Sequence, residues 1–255
     1  MSNKEGYMAG IYEQIINQLF KVKLEKYDRK IYHIGMKEIG RNEAIQYLSR
    51  YLYILIQGTI DEVAQQENGV EKCIQFTNDV IKELGEKFAI ENYEDDLVDA
   101  SNSILTSVID KTKCDYPDLQ KYIQRITPLT SLTKSSLFTG AKNSVNMISE
   151  LKKEILSADK IYILVSFIRL SGLNMMIPEL QEFVAHGGCL RVITTTYMQI
   201  TEYKAIEKLS KLTHTEIKIS YHSDLDRLHA KAYVFMRNSG FHTAYIGSSN
   251  ISHAA

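Results

Sequence analysis

Between residues 161 and 246 short β-rich runs alternate with helical stripes, and this alternation confines the second half of the chain to a layered α/β arrangement. Ile161-Tyr-Ile-Leu-Val-Ser-Phe167 is continuously apolar and rich in β-branched residues, the pattern of a strand buried on both faces. A helix is expected over residues 173–185, ended by Gly187-Gly188. A strand at 190–195, a helix at 201–212 and a strand at 216–220 follow. Upstream, Val145, Ile148, Leu151 and Ile155 form one helical stripe. Strand and helix in succession imply a largely parallel sheet, in which ligand sites gather at the strand ends.

The series closes on a predicted hairpin. Ala232-Tyr-Val-Phe-Met236 and Thr243-Ala-Tyr-Ile246 are strand-like, and Arg237-Asn-Ser-Gly-Phe241 between them has the composition of a turn. Leu228-His-Ala-Lys231 precedes the first strand and Gly247-Ser-Ser-Asn250 follows the second. If both segments are extended, the spacing of two puts His229 and Lys231 on one face, and likewise Ser248 and Asn250, so that four polar groups can meet one anion. Gly247 removes a Cβ from the approach to that anion, and the small Ser248 keeps the space open. A single His or Lys in a strand is more often half-buried or solvated. It is the combination with Gly-Ser-x-Asn that points to a phosphate site.

His-x-Lys followed by Gly-Ser-x-Asn resembles the signature of the phospholipase D superfamily, which contains lipases, phosphodiesterases and metal-independent nucleases. Met236 stands where that signature has an Asp, and the distance from Lys231 to Gly247 is longer by the length of the turn. The run from His229 to Ser252 is similar to the phospholipase-D-like module near the N-terminus of bacterial DEAD/DEAH-type helicases, which shares the longer spacing without the Asp. Pro128-Leu-Thr-Ser-Leu-Thr-Lys-Ser-Ser-Leu-Phe-Thr139, Arg169-Leu-Ser-Gly172 and Gly10-Ile-Tyr-Glu-Gln-Ile-Ile-Asn17 resemble the same group.

The resemblance implies an α/β sandwich with a mixed, largely parallel sheet, and phosphodiester hydrolysis without cofactor or metal. His229 is the expected nucleophile, forming a phosphohistidine, with Lys231 and Asn250 on the non-bridging oxygens and Gly247, Ser248 and Ser249 completing the phosphate site. One histidine does not readily serve as both nucleophile and leaving-group acid, so a homodimer with one His229 from each subunit is expected. DNA is the expected substrate, in the N-terminal part of a helicase-nuclease whose ATPase motor would follow Ala255. The alternative is a catalytically weak or inactive module that binds nucleic acid and dimerises.

Organisation and composition are consistent with a nucleic-acid partner and exclude several classes. Residues 1–123 read as helical, from apolar spacings at Ile11, Ile15 and Leu19, at Ile45, Leu48, Leu52 and Leu55, and at Ile74, Ile81 and Leu84. Asn42 is the candidate cap and Gly58 the candidate stop of the second block, and Tyr47, Tyr51 and Tyr53 read as packing residues. Residues 124–142 lack periodicity and read as a linker or extended crossing segment, leaving 143–255 as the phospholipase-D-like domain, cut short at its end. The net charge of −1 divides into −4 over residues 1–150 (18 Lys and Arg against 22 Asp and Glu) and +3 over the remainder.

Cys73, Cys114 and Cys189 are odd in number and far apart, which favours a cytoplasmic setting over disulfides or structural zinc. No apolar run approaches the roughly twenty residues that span a bilayer. His222, His242 and His253 read as surface residues without metal-ligand spacing. Asp224 and Asp226 are the candidates for the missing carboxylate, against the commoner role of such a pair in solvating a loop. Gly187-Gly188 precedes a strand and lacks a following Lys-Ser/Thr, so it is a turn and not a phosphate loop.

Overall fold

The computed structural model describes residues 10–101, 103–109, 118–138, 146–221 and 228–252. Val145, Cys114, His222, Asp224, Asp226 and His253 lie outside them. Contacts divide the chain into Met1–Thr106 and Ser107–Ala255.

The first unit contains α1 (Gln18–Leu24), α2 (Arg41–Ala64) and α3 (Gly69–Phe88). Asn17 caps α1 by accepting the Phe20 N–H at 2.9 Å, so Ile11 and Ile15 precede the helix instead of lying in it. Helix α2 is capped not at Asn42 but at Gly40, whose N–H donates to the Glu43 carboxylate at 3.3 Å. It also runs through Gly58 to Ala64. A glycine inside an exposed helix costs about 1 kcal/mol, less than stopping a helix of this length would lose. The break comes instead before Asn68, which takes the left-handed conformation at φ 54°. Tyr47 and Tyr51 bond to Glu13 and Asn17 through their hydroxyls, while Leu48, Leu52 and Leu55 remain at least 45% exposed.

The second unit contains α4 (Leu119–Ile126), α5 (Met147–Ser157), β1 (Lys160–Val165), α6 (Leu170–Asn174), α7 (Ile177–Ala185), β2 (Cys189–Thr195), α8 (Tyr203–Ser210), β3 (Thr215–Ser220), β4 (Lys231–Met236) and β5 (Thr243–Ile246). Helix α4 and the residues after it belong here. Lys153 Nζ on α5 donates to the carbonyls of Gln124 and Thr127, and Arg125 forms two bonds to the Glu182 carboxylate on α7. A helical first region is thus followed by a mixed sheet in the order β3-β2-β1-β4-β5, with β1, β2 and β3 mutually parallel and the β4–β5 hairpin antiparallel beside β1.

Two expectations for this unit are corrected. The single helix expected over 173–185 is two, interrupted at Met175-Met176, because Pro178 fits only the first turn of a helix and α7 therefore restarts at Ile177. The run from Ile161 is not buried throughout. Ile161, Ile163 and Val165 are sealed in the core with Leu173, Leu180, Leu190 and Phe235, whereas Tyr162 is 38% exposed and Ile193, opposite Leu164 on β2, is 41% exposed. Burial alternates because among the described residues the helices cover one face. At the hairpin tip Gly240 adopts φ +86° and its N–H closes the turn on the Arg237 carbonyl at 3.0 Å.

Candidate active site

The motif residues stand at the carboxyl end of the parallel strands. Lys231 is the first residue of β4 and pairs with Val165, the last residue of β1. His229 lies two residues ahead of the strand, and residues 247–250 follow β5, so neither pair sits inside a strand as the spacing suggested. The side chains meet nonetheless, with His229 Nε2 and Lys231 Nζ 2.7 Å apart. An ammonium has only donors, so the imidazole nitrogen facing it presents its lone pair and the ring proton sits on Nδ1.

Asn250 is held from behind. It is 7% exposed, and its Oδ1 accepts the N–H of Ser166 at 3.0 Å and of Phe167 at 3.2 Å, the two residues just past β1. That fixes the amide orientation and leaves the Nδ2 donors as its remaining hydrogen-bonding group. The loop around it is tied on three sides. The Gly247 N–H donates to the Lys231 carbonyl at 3.2 Å, the Tyr233 hydroxyl to the Ser249 carbonyl at 3.0 Å, and the Arg169 N–H to the Ile251 carbonyl at 2.8 Å. Ile251 also bridges Ile168 in parallel register, and α6 approaches so closely that a Cβ on Gly172 would lie 2.4 Å from the Ser252 nitrogen. A Cβ on Gly247 would meet nothing within 4 Å. Gly247 therefore opens space in front of the loop, whereas Gly172 is required by packing.

Lys231, Gly247, Ser248 and Ser249 line one groove of about 600 Å³, with His229 against Lys231 and Asn250 behind the loop. Ser166, which orients Asn250, carried no signal in the sequence. Neither did the polar cluster at the other end of the hairpin, where Arg237 pairs with Glu154 of α5, 7% and 0% exposed. Glu154 also accepts from the Thr243 and Tyr245 hydroxyls, each at 2.7 Å. This pair lies beside Met236, where the resemblance would place a carboxylate, yet the whole of β4 separates it from Lys231. Burial raises the pKa of Tyr233, and burial with the Glu154 carboxylate raises that of Tyr245. His242 is exposed, and its Nδ1 accepts the Arg237 N–H at 3.1 Å. Among the described residues no cluster of His, Cys, Asp and Glu could hold a metal ion, and no helix is long and apolar enough to cross a membrane.

Residues 143–255 match the family model described as NgoFVII restriction endonuclease N-terminal PLD domain. This part of the chain is a phospholipase-D-like domain of the nuclease type. A comparison with curated proteins gives no match. Solved structures similar to it include NucT from Helicobacter pylori, at 17% identity and a TM-score of 0.30 over 40% of this chain and 65% of that one. Another is a polyphosphate kinase from Porphyromonas gingivalis, at 13% identity and a TM-score of 0.30 over 43% of this chain and 20% of that one. The chain thus spans less than two thirds of either protein, and likenesses at these scores carry no argument about activity.

Proposed function

We propose that the phospholipase-D-like domain hydrolyses phosphodiesters in DNA without a metal, through a phosphohistidine on His229. The observation that carries this reading is the 2.7 Å approach of His229 Nε2 to Lys231 Nζ beside the loop 247–250. Nε2 offers its lone pair to phosphorus, and the N–P bond forms as the P–O bond to the leaving sugar oxygen breaks. The Lys231 ammonium and the Asn250 Nδ2 donors take the non-bridging oxygens, where charge builds in the transition state. Gly247 leaves room for the phosphate, and Ser248 and Ser249 line its pocket. Water then attacks the phosphohistidine, releasing a phosphomonoester and regenerating the imidazole.

The leaving oxygen needs a proton that the attacking histidine does not carry on its reacting nitrogen. A second copy of the chain, contributing its own His229, supplies that acid in this proposal, and its loss would slow the reaction by roughly 10² to 10⁴. The resemblance of the motif and of residues 128–139 to the helicase group supports a place in a cytoplasmic helicase-nuclease. Met236 favours a second reading, a module that binds nucleic acid without cutting, since none of the described carboxylates bonds to His229.

The test is cleavage of labelled DNA in excess EDTA, comparing the wild-type chain with His229→Ala. Cleavage that survives EDTA and disappears in the variant is the expected result. No cleavage by the wild type, with salt-sensitive binding retained, overturns catalysis and leaves the binding module.

A further inference from the structure

Residues 130–138 precede the part of the chain that matches the nuclease family, yet they form one wall of the groove that contains Lys231 and Gly247. This strap is fixed at both ends. At its start the buried Glu150 carboxylate accepts the N–H groups of Leu129 and Thr130 at 2.9 and 2.8 Å, and at its finish the Phe138 ring lies 5.6 Å from that of Tyr245 on β5. Between these anchors the described hydroxyl contacts are local. Ser131 Oγ and Thr133 Oγ1 are 3.1 Å apart, and the Thr133 N–H donates to Ser131 Oγ. Beyond Thr130, whose hydroxyl bonds to the Glu150 carboxylate and lies 3.4 Å from the Tyr245 hydroxyl on β5, the strap presents its hydroxyls and Lys134 along the groove.

The groove follows the hairpin from Lys231 and residues 247–249 at the site to His242 and Thr243 near the tip. The five steps of β4 between Lys231 and Met236 correspond to about 17 Å, the rise of roughly five stacked nucleotides at 3.4 Å each. Its described lining holds two lysines, Lys134 and Lys231, and no Asp or Glu. His242 accepts at Nδ1, so its neutral ring carries the proton on Nε2 as a further donor. Lining the same groove are Leu137 and Ile246, 85% and 86% exposed, the two most exposed large apolar side chains described in residues 107–255.

From these features, and resting on the proposed nuclease reading, we propose that the strap and the hairpin hold the single strand flanking the scissile phosphate. Lys134 and the strap hydroxyls contact its backbone, and Leu137 and Ile246 contact unpaired bases. A cationic groove that excludes carboxylates suits a polyanion, hydroxyls and lysines are common phosphate contacts, and exposed apolar side chains favour bases that are not paired.

The experiment measures binding of the full chain to fluorescein-labelled oligothymidylate as a function of salt, beside hydrolysis of bis-p-nitrophenyl phosphate, a diester too small to reach the strap. Lys134→Ala is expected to weaken oligonucleotide binding severalfold and to lower the slope of log affinity against log salt by about 0.7, one phosphate contact on a single strand. Lys134→Arg should restore both, and turnover of the small diester should not change. An unchanged slope overturns the proposal, as does an equal loss for the small diester. An equal loss with duplex DNA overturns the single-strand assignment. Failure of the wild type to hydrolyse the small diester would count against the catalytic reading alone, because the salt dependence of binding tests the strap separately.

Discussion

Ser166 and Asn250, 84 residues apart, are joined by a 3.0 Å hydrogen bond in which the Ser166 N–H donates to the Asn250 Oδ1. The amide thus has a structural end and, in the proposed mechanism, a chemical end, and substitutions can separate them. Asn250→Asp keeps an acceptor for the Ser166 and Phe167 N–H groups but loses the Nδ2 donors and adds a negative charge beside the phosphate. We expect its denaturation midpoint to stay close to wild type while cleavage falls at least 100-fold. Asn250→Ala leaves the buried Ser166 N–H and the partly buried Phe167 N–H without this partner and should lose about 1–3 kcal/mol as well. Urea denaturation beside a cleavage assay distinguishes the two.

Glu154 and Arg237 predict a large loss of stability far from the chemistry. Glu154→Ala leaves a buried guanidinium uncompensated and removes an acceptor shared with Thr243 and Tyr245, at an expected cost of about 3–5 kcal/mol. Adding Arg237→Met to that variant should recover a substantial part of it. Equal urea midpoints for the single and double variants would count against this account.

Two glycines at the site should respond in opposite ways. Gly172→Ala drives a methyl into the backbone at Ser252 and should cost about 1–3 kcal/mol while displacing Asn250, so both stability and cleavage fall. Gly247→Ala meets no protein atom and should fold like the wild type, but raise KM by filling the space that the proposed mechanism gives to phosphate. Thermal unfolding with steady-state kinetics on both variants checks the pair.

Tyr233 and Tyr245 set an alkaline limit. A phenol whose folded pKa is raised stabilises the fold fully below its unfolded value, near about 10, and that contribution is lost as pH rises toward the folded value. Stability of the second unit should therefore decline above about pH 10, and two of the 16 tyrosines should ionise only as the unit unfolds. Ultraviolet absorbance titration against circular dichroism at the same pH values reads both, and Tyr245→Phe should remove one of the delayed phenols.

What could be read from the sequence was what short spacing encodes. The helical first region, the five strands and the Gly240 turn follow from local periodicity and turn chemistry. The site's residue types stood out because His229 and Lys231 are two apart. What escaped is set across long separations. The Ser166–Asn250 bond and the Glu154–Arg237 pair, 83 residues apart, leave no periodic trace. The exposure of Tyr162 depends on what packs over the other face of the sheet, which a continuous apolar run does not state. Gly58 does not stop α2 because a glycine's helix cost is small beside the length of that helix, and Pro178, with its fixed φ, marks the start of α7.

The bonds from Ser166 and Phe167 to Asn250 also order events in time. During synthesis His229 and Lys231 leave the ribosome before the segment that docks on the end of β1, and that docking requires closing a loop of more than eighty residues. A nascent chain that has already released His229 and Lys231 therefore lacks the ordered loop beside them until its sheet has assembled.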